Sequence, residues 1–504
     1  MKPEVRTTHG TLQGVPRDDH VAFLGVPFAS PPEGELRFRA PQPLEPWSGV
    51  REASAPGPSA PQDRFVPRSF RATGPESEDC LYLNVYTPAP DGAGRPVLFW
   101  IHGGGFSHGS ATQPHYDGGP LAERGDVVVV TTNYRLGALG YLYLGAHGGD
   151  AWGAAPHPGQ LDQIAALRWV QENISAFGGD PDNVTIFGQS AGAAAVATLL
   201  AMPPARGLFA KAIAQSGTAN RLPTLDAAAG VTAQFLGRLG IPESDPAAVR
   251  TADVGDMLEA QGARGALRPV VGDDTLPHQP LGAVRDAFAS DVPLMVGTAR
   301  DEQKLYVPAD RPQIGEADLE EESRRILPRR AGDRVAEVIG AYRDSRSARA
   351  LPHTNLDILD ALATASRFRV PALQLAEAQR AHQPRTFVYQ FDWESPARRG
   401  TLGACHGLEI RFVFGVIGRT GDDRMTGSGP EAERLSHQMM DAWVAFARHG
   451  DPSHDGIGTW PAYDADDRQT MVFGRESGVQ AAPFEEERAI WESMTGSAAQ
   501  RGEP

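Results

Sequence analysis

The sequence predicts an α/β fold, in which a large and mostly parallel sheet carries helices on both faces. Two observations lead to this prediction. Strand-like and helix-like segments alternate along the chain, and such alternation produces parallel strands joined by crossover helices. The 504 residues also include 56 Gly and 42 Pro without a regular period, which indicates many loops and tight turns between these elements.

Short runs rich in β-branched and aromatic residues predict the strands, since Pro, Gly or Asn ends each run. The clearest runs are residues 81–87, 97–101, 127–133, 184–187, 293–298 and 386–393. Apolar residues at helical spacing predict helices over residues 161–177 and 193–200. Residues 41–75 hold many Pro, Ser and Arg with little periodicity, and we expect them to form a surface excursion.

The domain organisation follows from the lack of any internal repeat or linker in the sequence. At about 150 residues per domain, a chain of this length has a prior of roughly three domains. Because nothing divides the chain, we instead expect a single domain over residues 1–495. Residues 496–504 are expected to form a flexible C-terminal tail.

Composition argues against several classes of partner and location. The formal net charge of −16 makes nucleic acid an improbable partner, since an acidic surface repels phosphate. No apolar run approaches the roughly 20 residues of a membrane span, and the N-terminus lacks the apolar core of a signal peptide. Two cysteines do not make a disulfide framework. We therefore expect a cytoplasmic protein, and we predict no oligomeric state.

The segment Gly188-Gln189-Ser190-Ala191-Gly192 lies between a predicted strand and a predicted helix. It matches the G-x-S-x-G pattern, in which a serine on a sharp, strained turn exposes its hydroxyl above a sheet edge. The following helix directs its positive N-terminal end toward developing negative charge. We predict that Ser190 is a nucleophile, with an ordinary polar turn as the alternative.

A second motif, His102-Gly103-Gly104-Gly105-Phe106, follows the predicted strand at residues 97–101. Successive glycines free backbone N–H groups to point at one position, as the oxyanion of an acyl-transfer reaction requires. We predict that the N–H groups of Gly104, Gly105 and Ala191 form this oxyanion hole. A phosphate-binding loop is the alternative, but the chain lacks the P-loop pattern, and neither H-E-x-x-H nor C-x-x-C suggests a metal. No cofactor is expected.

A serine nucleophile needs an imidazole base, and the imidazole needs a carboxylate that fixes its tautomer. Asp301 and Glu302 follow the predicted strand at residues 293–298, and the pattern does not choose between them. His406 is favoured as the base because it lies in the loop region after the strand at 386–393 and precedes Gly407. The downstream candidates are His353, His382, His406, His437, His449 and His454.

With these motifs in order, the chain resembles the type B carboxylesterases, which include bacterial para-nitrobenzyl esterases and animal cholinesterases. The similarity extends over nearly the whole chain. Its main segments are residues 23–29, 36–38, 78–84, 102–106, 133–135, 161–163, 169–180, 188–192, 215–217, 406–415 and 460–463.

The resemblance implies an α/β-hydrolase fold with long loop and helical insertions around an active-site gorge. It implies a serine carboxylesterase that hydrolyses small to medium, mainly neutral esters with broad specificity through an acyl-enzyme. The implied triad is Ser190, Glu302 and His406, with Ser216 and Gln189 in supporting positions. Amide or carbamate hydrolysis by the same groups, a non-catalytic adhesion or scaffold protein, and a cysteine hydrolase are the alternatives.

The chain departs from the family pattern at three places. Gln189 replaces the usual Glu before the nucleophile, and Ala60 stands where a cysteine partner of Cys80 is often found. Residues 51–99 contain no Trp that would hold a quaternary ammonium group. We therefore expect Cys80 to be a free thiol and a choline ester not to be the substrate.

Aromatic side chains near the motifs are candidates for the substrate pocket, with plain core or rim packing as the favoured alternative for each of them. They are Phe65, Phe70, Phe106 and Trp152, followed by Tyr306, Phe368 and Phe412. A hydrophobic pocket discriminates by only about 1–3 kcal/mol per methylene, so broad tolerance of small-molecule esters is expected.

Overall fold

The centre of the protein is an 11-stranded sheet. The computed structural model describes residues 3–62, 72–262, 265–419 and 423–495. The strands are β1 (Glu4–Arg6), β2 (Thr11–Gln13), β3 (Val15–Pro16), β4 (Val21–Pro27), β5 (Val50–Glu52), β6 (Tyr82–Thr87), β7 (Arg95–Ile101), β8 (Val128–Thr132), β9 (Gly179–Gln189), β10 (Lys211–Gln215), β11 (Leu294–Ala299), β12 (Thr386–Phe391), β13 (Gln469–Phe473) and β14 (Gly478–Ala481).

The middle of the 11-stranded sheet is parallel and its margins are antiparallel. Its strand order is β14-β13-β12-β11-β10-β9-β7-β8-β6-β4-β3. Every neighbouring pair from β8 to β13 runs in the same direction. Strand β14 on one side, and β6, β4 and β3 on the other, pair antiparallel. Strands β1, β2 and β5 form a separate small sheet. The mostly parallel sheet predicted from the sequence is therefore confirmed.

Helices surround the sheet and fill the connections between its strands. They are α1 (Gly119–Gly125), α2 (Gly137–Tyr141), α3 (Pro158–Asn173), α4 (Ala191–Leu199), α5 (Leu225–Arg238), α6 (Val254–Ala260), α7 (Pro280–Arg285), α8 (Glu316–Ile326), α9 (Val335–Ala348), α10 (Asn355–Thr364), α11 (Val370–Arg380), α12 (Ile410–Val413), α13 (Asp423–Thr426), α14 (Pro430–His449) and α15 (Glu485–Thr495). Across the described ranges, no helix combines the length and apolar character needed to cross a membrane.

The apolar core lies on both faces of the sheet, and β7 shows why. Successive side chains of a strand point to opposite faces. Val97, Phe99 and Ile101 belong to the cluster on one face, whereas Leu98 and Trp100 belong to the cluster on the other. Parallel strands covered by helices on both sides require this continuous apolar run. The apolar run of β7 is therefore consistent with the position of this strand in the middle of the sheet.

The predicted elements agree with the structure except in detail. The helix predicted over residues 161–177 is α3, which begins earlier and passes into a 3₁₀ turn at Ile174–Phe177. The prediction of a surface excursion at residues 41–75 was wrong for its central part, since Ser59, Ala60 and Gln62 are buried. They are buried because this segment packs beneath the glycine-rich loop. The predicted tail, residues 496–504, lies outside the described residues.

Candidate active site

The predicted site residues follow the carboxyl ends of parallel strands. Ser190 follows β9, the glycine-rich loop follows β7, and Glu302 lies three residues after β11. Parallel strands end at the same edge of a sheet, and this edge is where α/β proteins bind ligands. The topology therefore brings together residues that are more than a hundred positions apart in the chain.

Ser190 occupies a strained turn between β9 and α4. Its backbone has φ of 58° and ψ of −121°, a region that non-glycine residues rarely adopt and that is typical of functional sites. Its N–H donates a hydrogen bond to the Gln215 carbonyl at the end of β10, at 2.9 Å. A Cβ on Gly192 would lie 2.0 Å from the carbonyl oxygen of Ile101, so only glycine allows this close approach. The sharp turn predicted by the motif is present.

The glycine-rich loop lies directly beside this turn. A Cβ on Gly103 would lie 3.1 Å from the Cβ of Ser190. Gly104 and Gly105 both have positive φ, at 114° and 62°, which orients their N–H groups in a way that a regular strand does not. Ala191 begins α4. The three predicted oxyanion donors are thus on two segments that meet at Ser190.

A glutamine that the sequence did not reveal holds the far end of this loop. The buried side chain of Gln62 accepts a hydrogen bond from Gly109 N–H at 3.0 Å and donates one to the Gly109 carbonyl at 3.1 Å. Ser59 donates a further bond to Ser110 at 2.8 Å. No local pattern marks Gln62, since its partner lies 47 residues away.

Glu302 and His406 are in direct contact. Nδ1 of His406 lies 2.5 Å from Oε2 of Glu302, and the second carboxylate oxygen accepts the Ala299 N–H at 2.8 Å. Glu302 is fully buried and His406 is 6% exposed. A short, charge-assisted bond in a buried position fixes the orientation of the ring. The Nδ1–H donates to the carboxylate, which leaves Nε2 as an acceptor.

The acceptor atom of His406 faces the turn that carries Ser190. The side-chain amide of Gln189 donates a hydrogen bond to Nε2 of His406 at 3.1 Å. The hydroxyl of Ser190 interacts with the phenol group of Tyr306, whose ring centroid lies 5.3 Å from that of His406. Gln189 therefore contacts the imidazole at Nε2, and Tyr306 contacts the serine hydroxyl.

Asp301 faces away from His406, although it is adjacent to Glu302. It forms an ion pair with Arg300 at 2.9 Å and lies 3.8 Å from Arg346. These positive charges, together with Lys304, lower the pKa of Asp301 although burial opposes them. The structure thus brings only one of the two adjacent acids to the imidazole.

A buried polar cluster lies behind the Glu302–His406 pair. Ser216 has a positive φ of 53° and donates its N–H to the Gly297 carbonyl at 2.8 Å. Its hydroxyl has no hydrogen-bond partner among the described residues. Glu409, which the sequence analysis missed, accepts a bond from Gln215 at 3.4 Å. Burial, with the nearby charge of Glu302, raises the pKa of Glu409 to about 8.

The predicted pocket residues have different surroundings. Phe106 is buried against Tyr141, with ring centroids 4.9 Å apart. Trp152 packs near Phe38 at 6.4 Å and beneath the guanidinium of Arg250 at 5.3 Å. Phe65 and Phe70 lie outside the described residues.

Within the described ranges, no group of three or more His, Cys, Asp or Glu is placed to hold a metal.

Cys405 precedes His406, but its surroundings argue against thiol chemistry. The side chain is fully buried, and both cysteines are free thiols. Burial raises the pKa of Cys405 to about 12, and the charge of Glu302 acts in the same direction. Because the thiolate is the reactive form, this cysteine is inert near neutral pH.

Comparisons with known proteins place the chain in a family. A family model described as the carboxylesterase family matches residues 1–491. The chain is 38% identical over 497 residues to the para-nitrobenzyl esterase of Bacillus subtilis (strain 168), which covers 96% of this chain and 97% of that protein. The chain belongs to the carboxylesterase family. This carboxylesterase is also 37% identical over 502 residues to the phenmedipham hydrolase of Pseudarthrobacter oxydans, with 95% and 97% of the two chains covered.

Solved structures show the same fold. A thermophilic pNB esterase superposes on this carboxylesterase with a TM-score of 0.85 at 36% identity, covering 97% of this chain and 100% of the other. A Geobacillus stearothermophilus carboxylesterase gives a TM-score of 0.86 at 38% identity, covering 97% and 99%. The carboxylesterase therefore has the α/β-hydrolase fold and is a carboxylic ester hydrolase, as the resemblance implied.

Proposed function

We propose that the protein is a serine carboxylesterase that hydrolyses small to medium, mainly neutral esters with broad specificity, through an acyl-enzyme formed on Ser190. His406 acts as the general base and then the general acid, and Glu302 orients it. The observation that carries the proposal is the 2.5 Å contact between Glu302 and Nδ1 of His406, with Nε2 facing the segment that holds Ser190. We further propose that residues 1–495 form one catalytic domain.

The first step begins when an ester carbonyl reaches Ser190. Proton transfer requires Nε2 of His406 to exchange its hydrogen bond with the Gln189 amide for one with the hydroxyl of Ser190, the next residue in the chain. The serine oxygen then attacks the carbonyl carbon while His406 takes its proton. The buried carboxylate of Glu302 stabilises the imidazolium that forms.

The negative charge of the tetrahedral intermediate falls on the former carbonyl oxygen. The N–H groups of Gly104, Gly105 and Ala191 are proposed to bind this oxygen, since they lie on the two segments that meet at Ser190. His406 next protonates the leaving alcohol. Water then attacks the acyl-enzyme by the same sequence of proton transfers and releases the carboxylic acid.

The decisive experiment is a comparison of Ser190→Ala with the wild type on para-nitrophenyl esters. Loss of the nucleophile is expected to lower kcat by about 10⁴–10⁶-fold. A fluorophosphonate should label the wild type stoichiometrically and leave the variant unlabelled. Ser175→Ala, at an exposed serine, is the matched control and should behave as the wild type.

Two results would contradict the proposal. One is turnover by Ser190→Ala at a rate near that of the wild type, and the other is fluorophosphonate labelling at a different residue. A panel of kcat/KM values across acyl lengths and alcohol sizes tests the breadth of specificity. The panel should include the matching anilides and carbamates, because preferential cleavage of either would replace the ester as the main substrate class.

A further inference from the structure

An exposed arginine packs over two aromatic rings beside the proposed active site. Arg367 belongs to the π-helical turn Ala365–Arg369, which joins α10 to α11. A π-helical turn inserts an extra residue into a helix and so shifts the side chains of the turn relative to those of the flanking α-helical turns. Such turns are frequent at functional sites. The next residue, Phe368, has its ring centroid 4.9 Å from that of His406. The turn therefore directs two consecutive side chains toward the site.

Arg367 covers an aromatic wall that extends outward from the nucleophile. The rings of Tyr306 and Phe368 are nearly parallel, with an interplanar angle of 8° and centroids 6.3 Å apart. The guanidinium carbon of Arg367 lies 5.0 Å from the first centroid and 5.3 Å from the second. Tyr306 interacts with Ser190 through its hydroxyl, yet 47% of the residue is exposed. A group bound to Ser190 and extending along this wall would approach Arg367.

The charge of Arg367 is not matched by a carboxylate in the part of the chain that the structure describes. Its guanidinium donates to the neutral side-chain oxygen of Gln303 at 2.9 Å. Other arginines from the same helical region reach acids at 2.6–2.8 Å: Arg311 with Asp360, Arg343 with Glu316 and Arg369 with Glu487. An exposed cation with a neutral partner is available to an anionic ligand.

The wall lies on the side of the leaving alcohol. This step rests on the proposed function, in which His406 protonates the leaving oxygen. The alcohol portion of the ester must therefore lie next to the imidazole, and both Tyr306 and Phe368 flank that ring. An aryl alcohol would contact their faces, and Arg367 would meet its far end.

We propose that Arg367 binds a carboxylate carried by the alcohol portion of aryl ester substrates, which makes aryl esters of this anionic kind a preferred class. The planar guanidinium presents paired N–H donors that match a carboxylate. Because the site is open to solvent, the preference is modest, at about threefold to fivefold in kcat/KM. Added salt reduces it, since exposed charges are screened.

The test compares para-acetoxybenzoate with its neutral analogue para-acetoxybenzamide. In Arg367→Gln, the ratio of kcat/KM for the anionic over the neutral ester should fall by about threefold to fivefold, and Arg367→Lys should retain most of the preference. Arg325→Gln is the matched control, because it changes the net charge equally and, among the described residues, Arg325 forms ion pairs only with Glu321 and Glu322 of its own helix. Inhibition by para-hydroxybenzoate, relative to para-hydroxybenzamide, gives a second measurement that does not depend on hydrolysis of the anionic ester itself.

The outcomes separate this inference from the proposed function. An unchanged ratio in Arg367→Gln, with unchanged inhibition by para-hydroxybenzoate, would overturn the role of Arg367 while ester hydrolysis stands. A larger effect on an ester whose carboxylate is in the acyl portion, such as mono-para-nitrophenyl succinate, would overturn the placement on the alcohol side. Failure of the wild type to hydrolyse either aryl ester or to react with a fluorophosphonate would instead contradict the proposed function.

Discussion

Asp301 and Ala404 join two loops of the proposed active site through a reciprocal pair of hydrogen bonds. The N–H of Asp301 donates to the Ala404 carbonyl at 2.9 Å, and the N–H of Ala404 donates to the Asp301 carboxylate at 3.2 Å. These bonds join the residue before Glu302 to a residue two positions before His406. The adjacent acids thus have separate roles, because one contacts the imidazole and the other connects the backbones that carry the pair.

This division predicts unequal effects of two conservative substitutions. Glu302→Gln should lower kcat by about 10³–10⁴-fold, because the amide does not stabilise the imidazolium or hold the correct tautomer. Asp301→Asn keeps the backbone bond to Ala404 and should lower kcat by less than about tenfold, with a measurable loss of stability. Steady-state kinetics and thermal unfolding of both variants check this. A larger loss in Asp301→Asn would transfer the orienting role to Asp301.

The glycine-rich loop offers a matched pair of substitutions. Both Gly104 and Gly105 have positive φ, so alanine is strained at either position. A Cβ on Gly104 would lie only 1.8 Å from the His108 carbonyl oxygen, whereas a Cβ on Gly105 has its nearest contact at 3.9 Å. Gly104→Ala should therefore displace the loop and lower kcat by about 10²–10³-fold, the effect of losing an oxyanion donor. Gly105→Ala serves as the control for strain alone and should lower kcat much less. Equal losses of kcat in the two variants would argue against a geometric role for this loop.

Glu409 should make the stability of the protein depend on pH. Burial, reinforced by the charge of Glu302, raises the pKa of Glu409 to about 8, whereas the pKa of a glutamate in the unfolded chain is about 4.3. Between these values the folded chain keeps a proton that the unfolded chain has released. The free energy of unfolding contributed by this group therefore falls as pH rises through this window, by up to about 1.4 kcal/mol per pH unit.

Glu409→Gln removes this dependence, because the amide stays neutral at every pH. Urea unfolding at about pH 5.5 and about pH 8.5 should show a smaller difference for the variant than for the wild type. Glu172→Gln, at an exposed position on α3, should keep the wild-type difference. An identical pH dependence in Glu409→Gln and the wild type would mean that Glu409 is ionised throughout this range.

The two cysteines should be unreactive until the protein unfolds. Burial raises the pKa of Cys405 to about 12 and the pKa of Cys80 further still, so neither forms a thiolate at neutral pH. Titration with a disulfide reagent should detect no thiol in the folded protein and two in denaturant. Cys405→Ser should retain ester turnover, whereas a loss of acyl-enzyme formation in this variant would revive the cysteine alternative.

The sequence placed the elements of the site with fair accuracy because its signals are local. The elbow around Ser190 needs small residues where backbones meet, and Gly188 and Gly192 are therefore visible in the sequence itself. Apolar runs in the sequence predict the strands β7 and β9, and these runs are buried on both faces of the sheet. What the residues left open was the choice between Asp301 and Glu302, since neighbours in sequence share the same local pattern.

The remaining features depend on contacts between distant segments. Gln62, Glu409 and Arg367 carry no motif, and their importance comes from loops and turns that pack against the site from elsewhere in the chain. The buried state of residues 59–62 has the same origin, because composition alone does not show what covers a Pro-rich segment.

The sequence by itself determined the α/β class, the strand segments that precede the motifs of the site, and the turn that carries Ser190. These depend on hydrophobic periodicity and on backbone conformations that only certain residues adopt. Only the tertiary structure decided which acid meets His406 and what occupies its Nε2 atom. Such contacts are set by the packing of whole loops against the sheet edge. A shift of one residue along the chain there changes which side chain faces the site.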